Sequence, residues 1–179
     1  MGPTRVTRQG HFDPLDGPRS VPDVVPMTTE GSRRLTAVWF ADIVGYTDLS
    51  ANDPDAALRV VRELQRIARM QCDARGGRIV KLRDESVLAV FDSADGAVRG
   101  ALGLRDAFLN SPEVQSPEVR SPAVSIRIGL HLGDVAEGGD GDISGDAVSA
   151  ASRIQEIAEP GQVLLSDIAY QLLRQRSTL

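Results

Sequence analysis

Three carboxylates lie where predicted strands end, and they are the residues best suited to bind a cation or take part in a reaction. Asp42 closes an almost continuously apolar strand, 35–42, while Asp84 and Glu85 lie at the tip of a predicted hairpin. Aspartate is rare in buried strands unless it has a partner, so Asp42 either caps the following loop or binds a ligand. Hairpin tips are polar by default, so Asp84 and Glu85 by themselves indicate only a solvated turn.

The turn after Asp42 is suited to phosphate. Its sequence is Ile43-Val44-Gly45-Tyr46-Thr47. Backbone N–H groups in such a turn, together with the Thr47 hydroxyl, can bind phosphate oxygens beside a cation. Two carboxylates with phosphate oxygens are the usual means of holding Mg²⁺. We therefore expect the first strand to pair with the hairpin and to bring Asp42 close to Asp84 and Glu85.

The elements that must position these residues follow the order β-α-β-β-α-β. Strands are predicted at 35–42, 78–82, 87–91 and 124–132, with helices beginning at the Asp53 and Ser93 caps between them. A glycine-rich loop (133–145), a helix (146–158), a strand (162–165) and a short helix capped by Ser166 follow. This order predicts an α+β fold with a ferredoxin-like βαββαβ core, an antiparallel sheet with its helices on one face.

Composition favours a globular domain with tails. The chain has 179 residues, of which 41% are hydrophobic and 25% are charged, which suits one domain rather than two. Prolines among polar residues predict a disordered leader over residues 1–32, followed by a domain over 33–176. A Ser-Pro repeat over 111–124 predicts an exposed, low-complexity loop.

Several classes of protein are disfavoured. No apolar run approaches the ~20 residues that span a bilayer, and no signal peptide is recognisable, so the expected location is the cytoplasm. A net charge of −5 without a basic stripe argues against nucleic acid as a partner. Cys72 is the single cysteine, which predicts a buried thiol and no internal disulfide. With two histidines, any metal is expected to be a hard cation held by carboxylates.

Four motifs in order make the chain recognisable: FADIVGYTDLS, ARGGRIVKLRDESVLAVF, RIGLHLGD and GDISGDAVSAASRIQEIAEPGQVLLSD. Together they resemble the class III adenylate/guanylate cyclase catalytic domain, most closely its bacterial soluble members. The resemblance implies the class III cyclase fold and an adenylate cyclase, a lyase that converts ATP to cyclic AMP and pyrophosphate in intracellular signalling. It also implies a homodimer with its sites at the interface, each holding two Mg²⁺ or Mn²⁺ ions.

The metal ligands of the family map onto the carboxylates named above. Asp42 takes the place of the first metal aspartate, with the Ile43 carbonyl beside it, and the triphosphate turn maps onto Val44, Gly45, Tyr46 and Thr47. The second aspartate belongs to a Lys-x-x-Gly-Asp pattern, which reads Lys81-Leu82-Arg83-Asp84-Glu85 here. Without a gap, Glu85 replaces the metal aspartate and Asp84 the glycine. A local slip would instead make Asp84 the ligand.

The family's other functional positions lie on the hairpin, the glycine-rich loop and the third helix. A lysine and an aspartate select adenine in adenylate cyclases, and they map onto Lys81 and Asp142. The transition-state arginine maps onto Arg153 and the ribose-orienting asparagine onto Ser149, four residues apart on one helix face. Without the resemblance, Lys81 is an ordinary strand-end lysine, Asp142 a loop carboxylate and Arg153 a solvated helix residue.

Departures from the family pattern leave other hypotheses open. Asp84-Glu85 and Ser149 differ from it, and the chain reaches Leu179 without the family's last lysine, which indicates truncation or a missing contact. These features favour a catalytically weak cyclase-homology domain that binds nucleotide or dimerises as a regulatory module. A cyclase for another nucleotide is the third hypothesis, and Lys81 with Asp142 argues against it.

Overall fold

The structure, a computed structural model, describes residues 33–119 and 124–176, and the predicted leader over residues 1–32 lies outside them. Its elements are β1 (Arg33–Val44), α1 (Tyr46–Asn52), α2 (Pro54–Asp73), β2 (Gly77–Arg83), β3 (Ser86–Phe91), α3 (Ala94–Leu109), β4 (Ser125–Glu137), β5 (Ile143–Ser144), α4 (Asp146–Glu156), β6 (Val163–Leu165) and α5 (Asp167–Arg176). The predicted α+β class and the β-α-β-β-α-β order are confirmed.

The sheet places β1 at its centre. Its strands run in the order β2-β3-β1-β4, all antiparallel, and β5 and β6 both lie along the outer edge of β4. Because β6 pairs with β4 in parallel, the expectation of a wholly antiparallel sheet is wrong at that edge. The register places Asp42 between Ser86 of β3 and Arg127 of β4. Neighbouring strands therefore supply side chains on both sides of Asp42.

Both faces of the sheet are buried. Trp39 of β1 packs in a core with Leu64 of α2 and Leu104 of α3, whereas Val38 packs with Ala151 of α4 in a second cluster. Burial on both sides explains why β1 reads as an almost continuous apolar run. The prediction that the helices share one face holds for α2 and α3 and is wrong for α4.

A glycine lets α4 lie directly on the sheet. A Cβ atom at Gly129 of β4 would lie 2.2 Å from the backbone nitrogen of Gln155 and 2.3 Å from the carbonyl oxygen of Ala151. Such distances are overlaps, so only glycine permits this approach. The backbone of α4 is consequently held against the centre of β4.

Side-chain caps begin the two longest helices as the sequence predicts. Asp53 Oδ1 accepts a hydrogen bond from the Ala56 N–H at 2.9 Å, and Ser93 Oγ accepts one from the Gly96 N–H at 3.0 Å. Each bond satisfies an otherwise unpaired backbone donor of the first turn. The sequence pattern does not predict α1, because its seven residues are too few to show a helical period.

The glycine-rich segment is mostly strand. It is predicted as a loop over 133–145, but β4 continues to Glu137, so only 138–142 remain between β4 and β5. A Cβ at Gly133 would lie 3.0 Å from the Cβ of Ala147 on α4. Glycine there reflects the close approach of a helix rather than a turn.

The Ser-Pro segment is partly buried. Val114 and Val119 are 4% and 1% exposed and belong to the main core. The prediction of an exposed loop is therefore wrong at these two valines, although Pro112, Gln115, Pro117 and Glu118 are exposed. Its low-complexity composition reports local polarity, whereas the two valines are buried by tertiary packing.

The remaining global expectations concern the thiol and the membrane. Cys72 is 1% exposed, which confirms the buried thiol, and burial raises its pKa to about 12. The thiolate is therefore scarce at neutral pH, and Cys72 is inert. Within 33–119 and 124–176, no helix is both long and apolar enough to span a membrane.

We predict that Gly129→Ala destabilises the fold by about 1–3 kcal/mol, because the new Cβ overlaps backbone atoms of α4. The melting temperature should fall by roughly 2–4 °C for each kcal/mol in a domain of this size. Gly139→Ala is the matched control, since no atom lies within 4 Å of a Cβ at that position. Thermal unfolding measures both variants, and equal melting temperatures would contradict the close contact.

Candidate active site

Asp42 sits in a half-buried ionic cluster on the face of β1 that α4 covers. Arg127 Nη2 donates to Asp42 Oδ2 at 3.1 Å, and Gln155 Nε2 approaches the same oxygen at 3.5 Å. The Asp42 and Arg127 side chains are 19% and 32% exposed. Burial raises the pKa of Asp42, the hydrogen bond from Arg127 opposes that increase, and the negative charge of Glu85 adds to it. Asp42 is therefore not simply a loop cap but a carboxylate among charged groups.

The tip of the β2–β3 hairpin docks against the end of β1. The Glu85 carbonyl accepts a hydrogen bond from the Ile43 N–H at 3.1 Å. Asp84 has φ 35° and is the one residue other than glycine in the left-handed region among those described. The family pattern has glycine at this position, and aspartate is among the few other residues that tolerate it. The ungapped alignment thus gives Asp84 the turn and leaves Glu85 beside Asp42.

The oxygen atoms near Asp42 fit a hard divalent cation whose coordination is completed by other ligands. Asp42, Glu85 and the Ile43 carbonyl could supply oxygen ligands, the kind that Mg²⁺ prefers. In the described part of the chain, no three acidic, histidine or cysteine side chains are grouped closely enough to hold a metal unaided. Phosphate oxygens and water would have to complete the coordination, as is usual for Mg²⁺ in nucleotide sites.

The turn predicted to hold phosphate reverses the chain between β1 and α1. Val44 ends β1 opposite Ser125, and Gly45 follows with φ 83°, in the left-handed region. Tyr46 and Thr47 form the first turn of α1, with Tyr46 packed against the main core. Gly45 is required here because the chain must turn sharply beside Asp42.

Lys81 and Asp142, paired at the sequence level only by resemblance, are in contact. Lys81 Nζ donates to Asp142 Oδ2 at 2.8 Å although the residues are 61 positions apart. The other carboxylate oxygen accepts the Ile143 N–H at 2.9 Å. The hydrogen bond from Lys81 is the main cause of the lowered pKa of Asp142, followed by that from Ile143. This pair joins β2, at one edge of the sheet, to the segment before β5 at the other.

A cavity of about 280 Å³ opens beside this ion pair. Its lining is largely apolar, with basic and hydroxyl side chains at one side: Phe40, Lys81, Arg83, Ser86, Leu88, Ile143 and Val148. Sequence reasoning missed the apolar members. The signal that could have found them is the burial of β1 and β3 on both faces, which places Phe40 and Leu88 opposite the main core.

Arg127 is a second residue that sequence reasoning missed. It lies in the RIGLHLGD motif, where alternation along the strand marks it only as polar. Its contact with Asp42 depends on the register between β1 and β4, in which the two residues are direct neighbours. Its guanidinium places a fixed positive charge beside the Asp42 carboxylate.

Ser149 and Arg153 face away from the Asp42 cluster. Both are exposed on α4, whereas Gln155, on the opposite side of the helix, is 3% exposed and contacts Asp42. No carboxylate of the described chain lies within ion-pair distance of Arg153. The structure therefore brings together Asp42 with Glu85, and Lys81 with Asp142, but leaves Ser149 and Arg153 pointing to solvent.

A model of the "Adenylate and Guanylate cyclase catalytic domain" matches residues 30–179. The chain belongs to this family. An adenylate cyclase of Streptomyces coelicolor is 35% identical to the cyclase domain over 147 residues, covering 80% of the chain and 35% of the relative. An adenylate cyclase of Anabaena cylindrica is 31% identical over 141 residues, covering 72% of the chain and 28% of the relative. The chain thus spans about a third of the length of these relatives.

A solved structure of this family has a similar fold. A crystal structure of an adenylate/guanylate cyclase/hydrolase from Silicibacter pomeroyi is 38% identical, with a TM-score of 0.65. The match covers 81% of this chain and 82% of that one. The cyclase domain described here therefore has the class III cyclase fold that its motifs imply.

We predict that Asp84→Ala unfolds more easily than Asp84→Gly, by about 1 kcal/mol in the free energy of unfolding. The reason is that a Cβ is disfavoured at positive φ whereas glycine adopts it freely. Urea titrations of the two variants measure the difference. An alanine variant as stable as the glycine variant would mean that the turn does not need a left-handed residue.

Proposed function

We propose that this cyclase domain converts ATP to 3′,5′-cyclic AMP and pyrophosphate at sites shared by two copies of the chain. The observation that carries the proposal is the Lys81–Asp142 pair at the side of an apolar cavity. A lysine can donate to adenine N1, and an aspartate can accept from the 6-amino group. Guanine presents the opposite pattern at these atoms, so the pair favours ATP. The names of the bacterial relatives agree with this choice.

Asp42, Glu85 and the Ile43 carbonyl would hold Mg²⁺ or Mn²⁺. When bound, these ions lower the pKa of the ribose 3′-hydroxyl and neutralise charge on the phosphates. Arg127 adds a fixed positive charge beside Asp42, suited to the triphosphate oxygens. The turn Val44–Thr47 orients the phosphates through its backbone N–H groups.

The reaction joins the 3′-oxygen to the α-phosphorus. The bond between the α-phosphorus and the oxygen that bridges to the β-phosphorus breaks, pyrophosphate leaves with that oxygen, and the proton of the 3′-hydroxyl passes to solvent water. Arg153 would stabilise the negative charge that develops on the phosphoryl oxygens in the transition state. Ser149, one helical turn away, would orient the ribose, although its hydroxyl has a shorter reach than the family's asparagine.

The exposed position of Ser149 and Arg153 supports a shared site. One chain presents Asp42 and Glu85 in one cluster, and these two residues on the outer face of α4. Ile157, four residues beyond Arg153 on the same side of α4, is 76% exposed. A second copy packed against this face would cover Ile157. Arg153 of the first copy would then lie beside the Asp42 cluster of the second copy.

A degenerate regulatory domain is the second candidate. Glutamate at position 85, serine at 149 and aspartate in a left-handed turn all depart from the family pattern. Such a domain would bind ATP with divalent cation and release no product. A cyclase for another nucleotide would make product from GTP, CTP or UTP instead.

We predict cyclic AMP from ATP and Mn²⁺, and a loss of at least about 100-fold in turnover for Asp42→Ala, because one carboxylate ligand and its charge disappear. Product formation by the purified protein measures both. ATP binding without product would favour the regulatory domain. Full turnover in the variant would contradict the role given to Asp42.

We also predict that mixing Asp42→Ala with Arg153→Ala restores activity. Neither variant should turn over alone, but each mixed dimer has one intact site. Random exchange of subunits should therefore give about one quarter of wild-type activity in a C2 dimer. The assay is cyclic AMP formation after co-refolding or co-expression of the two variants. A mixture as inactive as its parts would contradict the shared site.

A further inference from the structure

Arg83 lines the cavity beside the Lys81–Asp142 pair, where the proposed function places the base. The family resemblance gives Arg83 no role. The β2–β3 register shifts between Ile79 and Lys81, so that Lys81 and Arg83 face Leu88 and Ser86. This bulge turns both basic side chains toward the cavity, which they line together. Arg83 is exposed, whereas Leu88 is 6% exposed. Arg83 therefore lies at the mouth of the cavity rather than in its wall.

The charge at the mouth is unbalanced. Lys81 is paired with Asp142 at 2.8 Å, but no carboxylate in 33–119 or 124–176 lies within ion-pair distance of the Arg83 guanidinium. Arg83 is still close enough to act on Asp142, since its charge contributes to that group's lowered pKa, after the effects of Lys81 and Ile143. The Arg83 guanidinium therefore adds positive charge near the Lys81–Asp142 pair without an ion-pair partner of its own among the described residues.

The lining of the cavity would suit the apolar faces of a planar base. Phe40, Leu88, Ile143 and Val148 give apolar walls, and the Lys81–Asp142 pair provides the polar contacts at one side. A planar base in such a space keeps one face toward the mouth. Arginine stacks well on aromatic faces, because its guanidinium is planar, delocalised and weakly hydrated.

We propose that Arg83 stacks on the open face of the bound adenine base and is a base-binding residue of this site. The inference rests on the proposed function, which places adenine in the cavity. All the residues named for this contact belong to one chain. Arg83 would add affinity for the nucleoside part of the substrate without choosing between its hydrogen-bonding edges.

The test compares 3′-deoxyadenosine with 3′-deoxyATP, which share the base and lack the attacking hydroxyl. Arg83→Met keeps the aliphatic stem and removes the cation. It should weaken binding of both ligands to a similar extent, about 3- to 30-fold, as expected for loss of a cation–π contact. Arg99→Met is the matched control, since Arg99 lies on α3 and pairs with Asp95. Isothermal titration calorimetry on the full chain, with Mg²⁺ for the triphosphate, gives the dissociation constants.

Three outcomes would overturn the inference. Unchanged binding of both ligands by Arg83→Met would exclude a contact with the base. Weakened binding of 3′-deoxyATP alone would assign Arg83 to the phosphates. Full affinity in Arg83→Lys would mean that charge suffices without a planar group.

Lys81→Met separates this failure from failure of the proposed function. If Lys81→Met weakens nucleoside binding and Arg83→Met does not, the base site stands and only the role of Arg83 is lost. If neither variant affects binding, adenine does not occupy the cavity, and both the proposed base site and the inference fail. Melting temperatures of the variants confirm that each is folded.

Discussion

The contact between the backbone of α4 and β4 at Gly129 determines which side chains of α4 face the sheet and which face outward. Because a helix backbone lies directly on the sheet, the inward side of α4 can carry only small or closely fitted residues, such as Ala151 and Gln155. Gln155 is thereby brought to Asp42, and Val148 to the wall of the cavity beside Lys81. The outward side of the same helix is left to Ser149 and Arg153. Because Gly129 has no Cβ, α4 can approach the sheet closely, and this approach fixes the positions of the side chains on both sides of the helix.

The charges around Asp42 show how such a site exists in a stable fold without its ligands. A half-buried carboxylate is unfavourable because it loses hydration, and a second carboxylate nearby makes this worse. Arg127 partly offsets both effects through its hydrogen bond and its charge, although burial still raises the pKa of Asp42 overall. The guanidinium keeps Asp42 compatible with folding and leaves a cationic group next to the place proposed for the triphosphate.

Local signals in the sequence predict much of the fold and less of the site. The apolar run of β1, the caps at Asp53 and Ser93 and the polar hairpin tip depend on neighbours in sequence, so each could be read directly. Phe40 and Arg127 depend on strand register, and the buried Val114 on tertiary packing, neither of which a short stretch of sequence reports. The pairing of Lys81 with Asp142 came from family resemblance, and the structure supplies its distance.

Lys81 and Asp142 already satisfy one another through a hydrogen bond, and this bears on how the proposed base site would discriminate. A matching base would form hydrogen bonds with Lys81 and Asp142, which already have the hydrogen bond between them. The net gain in binding free energy would therefore be modest. A mismatched base disturbs the pair and leaves polar groups without partners, which costs more than a good match gains. Such a site would achieve selectivity mainly by penalising the wrong ligand, while holding the right one weakly enough for its product to leave.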